Sequence, residues 1–255
     1  MSSPQAPLSS PASAPHADER PLVSVVIPVY NEEGIVSASL ADLIDKLSQV
    51  DFSSELIVAE NGSRDRTVEI VRAFSERHPQ VSLFSLGEPN YGKALREGII
   101  RARGELVICD EIDLCDVDFY RVALEQLQGG EVDFVVGSKR AAGARDKRPL
   151  YRRFATWFLN ALLRVAVGFQ GTDTHGLKAF RKAAIIDLVE ACVVDRDMFA
   201  SELVVRVHRA KRRWREVPVD LMEKRPPSVN LLKRVPNVLK NIVRLTWIIR
   251  FGRDL

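Results

Sequence analysis

Long apolar runs are missing from this chain. Nowhere do about 18 uninterrupted apolar residues occur, so no membrane-spanning helix is expected. Cysteine is scarce: Cys109, Cys115 and Cys192 are the only three, no CxxC pair exists, and Cys109 and Cys192 sit among apolar neighbours. That speaks against a disulfide scaffold and for reduced thiols in a cytosolic protein. The N-terminus has neither a basic segment nor an apolar core of the signal-peptide kind, so none is expected. GxGxxG and GxxxxGK[ST] are both absent, which leaves dinucleotide-binding and P-loop readings without support. Excess charge is small, +3 in 255 residues, and gives no reason to expect nucleic acid as a partner.

What is present is the composition of a globular protein, 46% hydrophobic and 28% charged, in a chain long enough for one large α/β domain. Residues 1–20 are rich in Ser, Pro and Ala and read as a disordered tail. A globular domain is expected over 21–230 and a basic amphipathic helix over 231–255. From Arg206 onward Lys and Arg outnumber Asp and Glu.

Strand and helix patterns alternate from Pro21. Leu22–Val29 is β-branched and apolar, and Val36, Leu40, Leu43, Ile44 and Leu47 then fall at helical spacing. Glu55–Ala59 and Val81–Leu86 read as strands, Thr67–Arg77 and the stretch after Asn90 as helices. A fourth strand lies within Gly104–Asp118, GELVICDEIDLCDVD. Asp118–Leu127 predicts a helix and Asp133–Gly137 another strand. Short turns between such elements predict a doubly wound, mostly parallel sheet with flanking helices.

The turns after the strands hold the candidate chemistry, because open α/β sheets bind ligands at their carboxyl edge. Pro28, Tyr30 and Glu32 can offer a ring face and a carboxylate to a base or ribose. Glu60 can accept from ribose hydroxyls or a base N–H. Lys93, beside Gly92 at a helix start, can meet a phosphate. The fourth strand ends in Asp110, Glu111, Asp113, Asp116 and Asp118. In extended geometry Glu111 and Asp113 would share a face and Asp110 would point away. Such oxygen ligands suit Mg²⁺ or Mn²⁺; the plain alternative is a solvated acidic loop.

VSVVIPVYNEE, ELIVAENGSRDRT, NYGKALREGI, the acidic EID and GTDTHGLKAFR stand in the order and spacing of family 2 glycosyltransferases. The chain resembles the branch containing dolichyl-phosphate mannose synthase and polyprenyl-phosphate glycosyltransferases. The resemblance implies a GT-A fold, a nucleotide-sugar donor (GDP- or UDP-sugar), a lipid-phosphate or other acceptor, and Mg²⁺ or Mn²⁺. It places Pro28, Tyr30 and Glu32 at the base, Glu60, Gly62 and Ser63 at base and ribose, and Asp113 on the metal with Glu111. Asp110 is a further candidate in an Asp110-x-x-Asp113 register. The family's usual Asp-Asp-Gly-Ser is Glu60-Asn61-Gly62-Ser63 here, and its Asp-x-Asp is Glu111-Ile112-Asp113. A GT-A module that has lost transfer therefore stands as a rival reading.

Further along, residues 141–153 are basic and Gly-containing, either a solvated loop or a flap for anions. Tyr151–Val167 predicts a helix whose apolar stripe is core or interface. In GTDTHGLKAFR, Asp173 is a candidate contact to the donor sugar, and His175 reads as a hydrogen-bonding loop residue. Glu202 falls where the family keeps acids near the acceptor, and Arg225 matches a loop closing on the diphosphate. Trp214–Val219 predicts an edge strand. Val235–Phe251 reads as a basic helix that either lies in a membrane surface or docks on the domain or a second subunit. The expected location is cytoplasmic, peripheral on the cytoplasmic face of the membrane, with homo-oligomer formation open.

Overall fold

A computed structural model describes residues 21–141, 143–144, 150–195, 198–219, 240–248 and 250. In chain order the elements are β1 (Val23–Val29), α1 (Val36–Ser48), β2 (Ser54–Glu60), α2 (Thr67–Ser75), β3 (Val81–Ser85), α3 (Tyr91–Arg101) and β4 (Leu106–Cys109). They continue with α4 (Val117–Gln128), β5 (Phe134–Ser138), α5 (Leu150–Val167), β6 (Lys178–Arg181), α6 (Lys182–Glu190), α7 (Phe199–Arg209) and β7 (Trp214–Pro218). A helical segment at 240–248 follows.

The seven strands form one sheet in the order β3-β2-β1-β4-β6-β5-β7. β1 pairs in parallel with β2 and β4, and β2 with β3. β6 runs antiparallel to both β4 and β5, while β7 lies parallel to β5 at the edge. β6 is reversed because the chain re-enters the sheet from the carboxyl edge. Just before it, the Thr172 hydroxyl lies 2.6 Å from that of Ser138, at the end of β5.

β1 is buried along its whole length because both faces are covered. Its alternating side chains serve two cores. Val23, Val25, Ile27 and Val29 pack with Leu40 and Leu43 of α1, Val71 of α2 and Tyr120 of α4. Val26 faces the other way, toward Ala94, Leu95 and Ile99 of α3 and on to the cluster holding Phe134, Phe180 and Leu203. Each such fully buried aliphatic side chain contributes about 1.5–3 kcal/mol. At Gly98 a Cβ would sit 2.4 Å from Cγ1 of Val26, so glycine lets α3 press against β1. That close approach brings the start of α3 beside the end of β4.

The segment 240–248 docks on the second core through Ile242 and Leu245, which are buried there. Among the described residues no helix is long and apolar enough to cross a membrane.

Candidate active site

From β1 the chain winds outward one way through β2 and β3, then crosses back to place β4 on the other side of β1. This is a topological switch point, where a crevice opens at the carboxyl ends of β1 and β4. β4 stops at Cys109, opposite Val26, so β1 projects beyond its neighbour through Ile27, Pro28 and Val29. A proline inside a central strand is usually costly; Pro28 lies past the last β4 partner, so no hydrogen bond to β4 is lost.

The loops after β1 and β2 are joined side by side. The Asn31 amide donates to the Ser63 hydroxyl at 2.9 Å, and the Arg64 amide to Asn31 Oδ1 at 2.8 Å. The Glu32 amide donates to the Thr67 hydroxyl at 2.7 Å and the Arg66 amide to Glu33 Oε2 at 3.0 Å. Asn31 adopts a left-handed φ of 54°, a conformation asparagine tolerates better than most residues. Glu60 is buried; its Oε1 accepts from the Ser63 amide and its Oε2 from the Ser85 hydroxyl. It therefore ties its own loop to the end of β3. Gly62 takes φ +82° with the backbone of Glu88 and Pro89 within 3 Å of any Cβ it could carry, so glycine is required there. Pro28 is buried beneath this double loop, and Tyr30 stands exposed on it.

The five acids after β4 divide by duty. The extended geometry expected for 110–113 is not what forms. The chain turns at once, with the Leu114 amide donating to the Glu111 carbonyl at 2.9 Å. Asp110 is buried and braces that turn, accepting from the amides of Glu111 (2.6 Å) and Asp116 (3.1 Å) and the hydroxyl of Tyr120 (2.5 Å). Burial pushes its carboxyl up to about 7, against the lowering pull of those hydrogen bonds. Asp116 caps α4 by accepting from the Phe119 amide at 3.0 Å. Asp118 pairs with Arg121 at the surface.

Glu111 and Asp113 lie in this turn, Glu111 exposed and Asp113 half-buried. The Glu111 side chain reaches solvent in a crowded setting. Removal from bulk water raises its carboxyl; Lys139 and Lys178 oppose the shift, while Asp113 and Asp173 add to it. Tyr91 at the start of α3 feels Glu111, Asp110 and Asp113 as well; burial first and Glu111 next push its hydroxyl well up. Lys93 follows, its amide donating to the capping Asn90 side chain at 3.0 Å and its ammonium 3.0 Å from Glu88.

On the far wall, Asp173 is buried and accepts from the His175 amide at 2.9 Å and, at 3.5 Å, the Lys139 amide. His175 is exposed, its Nδ1 3.2 Å from the Thr174 hydroxyl. Lys178 is buried below, donating to the Gly176 carbonyl at 2.7 Å. Burial lowers its ammonium, opposed by Cys109, Asp173 and Glu111.

Glu202 is neither helix surface nor an open acid. It is wholly buried, accepting from the amides of Val193 (3.1 Å) and Val194 (2.6 Å) and from Arg206 (2.8 Å). Arg225 lies outside the described residues, as do residues 145–149, Arg196 and Asp197. Sequence reasoning gives no role to Lys139, Lys178 or Tyr91, which the fold gathers around Glu111. The available signal was a lysine inside the apolar run Leu177–Phe180.

Among the described residues no three His, Cys, Asp or Glu side chains converge closely enough to hold a metal ion by themselves. The donor set still fits a hard divalent cation. Glu111, Asp113 and Asp173 offer only oxygen, and their mutual repulsion is what a cation relieves. Mg²⁺ typically takes one or two carboxylates and completes its shell with substrate phosphates and water.

Similarity to known proteins agrees with this geometry. A sequence profile described as "Glycosyl transferase family 2" matches residues 24–188. A dolichyl-phosphate beta-glucosyltransferase of Trichomonas vaginalis is 29% identical over 218 residues, 79% of this chain and 66% of that protein. An undecaprenyl-phosphate 4-deoxy-4-formamido-L-arabinose transferase of Pseudomonas aeruginosa is 33% identical over 181 residues, 67% of this chain and 50% of that one. The chain thus spans between half and two thirds of the length of these two relatives. A crystal structure of glucosyl-3-phosphoglycerate synthase from Mycobacterium tuberculosis, in complex with Mn²⁺, uridine diphosphate and phosphoglyceric acid, superposes with a TM-score of 0.67. The match has 19% identity and covers 93% of this chain and 81% of that one. The fold is the expected GT-A fold, and the chain belongs to glycosyl transferase family 2.

Proposed function

We propose that the protein transfers a sugar from a nucleotide diphosphate sugar to a polyprenyl phosphate. The observation that carries this reading is that Glu202 and Asp173, the acids the family resemblance assigns to the acceptor and the sugar, are both buried and already hydrogen-bonded. Glu202 is sealed in the core by Val193, Val194 and Arg206, and Asp173 is buried against the His175 amide. A hydroxyl acceptor needs a base to take its proton. A phosphate monoester is already ionised at neutral pH and needs none. The two relatives named above, both acting on polyprenyl phosphates by name, support the same acceptor class.

In this reading Pro28, Tyr30 and Glu32 line the base site, with the ribose over Glu60, Gly62 and Ser63. Glu60 acts chiefly by fixing the loop whose Ser63 and Asn31 groups face the nucleotide. Lys93, at the start of α3, meets the diphosphate together with the helix N-terminus. Mg²⁺ or Mn²⁺ would be held by Asp113 and Glu111, with Asp110 bracing their turn, and would supply neutralising charge for the departing diphosphate. The acceptor phosphate oxygen attacks the anomeric carbon, the sugar–phosphate bond breaks, and the nucleoside diphosphate leaves. Lys139 and Lys178 place positive charge beside that event, and Arg225 is the further cation assigned to the diphosphate. Asp173 orients the sugar through the His175 turn. The basic stretch 240–250 contributes cations that help hold the protein on the cytoplasmic face of the membrane, where the lipid phosphate lies.

The test is direct. Purified protein is incubated with UDP- or GDP-sugars and a short water-soluble prenyl phosphate, with and without Mn²⁺, and the products are read by mass spectrometry. A metal-dependent glycosyl prenyl phosphate is expected. Nucleotide binding without transfer to any phosphate acceptor would return the chain to a binding module that has lost catalysis.

A further inference from the structure

One face of α5 is unlike the rest of the described surface. Tyr151, Phe154, Trp157 and Phe158 repeat at helical spacing and are between 48% and 63% exposed. Leu150 and Val165 extend the same stripe at its two ends and are more exposed still. The rings form a ridge: the Phe154 centroid lies 5.6 Å from Trp157 and 6.4 Å from Phe158. The opposite face of α5 is core, with Leu163 and Val167 buried. Exposed aromatics in a contiguous stripe of this size mark a binding surface rather than scattered surface residues.

Charge identifies the occupant. α5 carries three arginines and no acid; the stretch 240–250, one lysine, two arginines and no acid. The two helices touch at the end of the stripe, where the Arg250 guanidinium donates to the carbonyls of Ala166 (2.8 Å) and Val165 (3.1 Å). Arg153, Arg164, Lys240 and Arg244 are exposed nearby in sequence on these same two elements. A second copy packed on α5 by two-fold symmetry would bring arginines against arginines with no carboxylate on either helix. An anionic lipid surface satisfies both halves of the pattern, since aromatic rings seat in the interfacial layer and cations meet lipid phosphates.

We infer that α5, rather than the C-terminal helix alone, is the element that seats this protein on an anionic membrane, with Tyr151, Phe154, Trp157 and Phe158 entering the interface. The segment 240–248 spends Ile242 and Leu245 on the core, leaving Val243, Trp247 and its cations for the lipid. α5 also backs the reaction site: Asn160 Nδ2 donates to the Thr172 carbonyl at 2.5 Å, one residue before Asp173. Seating α5 therefore sets the distance between the crevice and the lipid phosphates. This rests on the lipid-phosphate acceptor proposed above.

The full chain is sedimented with phosphatidylcholine vesicles, with and without phosphatidylglycerol, across a salt series. Binding should require phosphatidylglycerol and weaken with salt. The double variant Phe154→Ser, Trp157→Ser should bind those vesicles at least about tenfold more weakly. Its melting temperature and its transfer to the short water-soluble prenyl phosphate should be unchanged, since neither ring is in the core. Three results overturn the inference: wild-type protein that ignores anionic vesicles, a double variant that still binds them, or wild-type dimers that the double variant dissolves. A marked drop in the variant's melting temperature also overturns it, because the face would then be covered by the chain itself. Absence of transfer to the soluble acceptor by wild type counts against the glycosyl-transfer reading and leaves the vesicle result to stand alone.

Discussion

Glu202 and Arg206 form an ion pair inside the second core, Oε1 to Nε 2.8 Å, with the Glu202 side chain wholly removed from solvent. The carboxylate also accepts from the Val193 and Val194 amides, so it anchors the loop between α6 and α7. Removing one partner of a buried pair costs about 3–5 kcal/mol. Glu202→Ala should lose roughly that much stability in urea unfolding, and Glu202→Gln less, while sugar transfer per folded molecule stays near wild type. A Glu202→Gln protein of normal stability and no activity would restore the acid to a base role.

The divalent ion should depend most on Asp113. Asp113→Asn should abolish the Mn²⁺-dependent part of uridine or guanosine diphosphate binding in calorimetry while the thermal transition stays intact. Glu111→Gln should weaken it less, because its carboxylate stands at the more solvated end of the pair. Unchanged Mn²⁺-dependent affinity in Asp113→Asn would move the metal elsewhere.

Glu60 should matter through the loop it holds. Glu60→Ala removes the acceptor for both the Ser63 amide and the Ser85 hydroxyl. Nucleoside diphosphate affinity should fall by about 1–3 kcal/mol, the scale of hydrogen bonds to a charged group. Ser85→Ala releases one partner only and should cost less. Equal affinity in a folded Glu60→Ala protein would show that the loop does not contact the nucleotide.

Asp133 supplies a pH signature at the other end of the sheet. Arg213 donates to both of its oxygens, Nε to Oδ2 at 2.9 Å and Nη2 to Oδ1 at 2.6 Å, and holds the carboxyl below its usual range. A lowered carboxyl contributes stability above its unfolded value, near pH 4, and loses it as pH falls through the folded value. Asp133→Asn should therefore be less stable than wild type at pH 7, by about 1 kcal/mol because Arg213 is largely exposed. The gap should close toward pH 3. A constant gap from pH 7 to pH 3 would assign the loss to packing instead.

Most of the fold is legible in apolar spacing. Val36, Leu40, Leu43 and Leu47 are all buried on α1, and the β-branched run from Val23 is a central strand. The reversed strand β6 and the helix α6 are not legible. Both are short, and Lys178 interrupts the apolar run whose Leu177, Ala179 and Phe180 are all buried. The acidic turn shows a second limit. Residue types announce oxygen chemistry after β4, but only the three-dimensional fold shows that Asp110 is consumed as a brace and that Glu111 and Asp113 lie on a turn. Glu202 shows a third, since an acid at a helix's first turn looks solvated until the amides of Val193 and Val194 are seen to fill it.

The reversed β6 also dictates an order of assembly. β1, β2 and β3 are consecutive parallel strands joined through α1 and α2 and can pair as soon as residue 85 is available. β4, in contrast, gains its second neighbour only when Lys178–Arg181 arrives, because Leu106 pairs with Arg181. β7 then completes the sheet against β5, opposite Phe134, from Trp214. Contacts of such long sequence separation form late. Pulse-labelled hydrogen exchange during refolding should protect the amides of β1–β3 before those of β5–β7. The nucleotide half of the crevice would then exist before the half that holds Asp173, so an arrested chain could bind a nucleoside diphosphate while having no place for an acceptor.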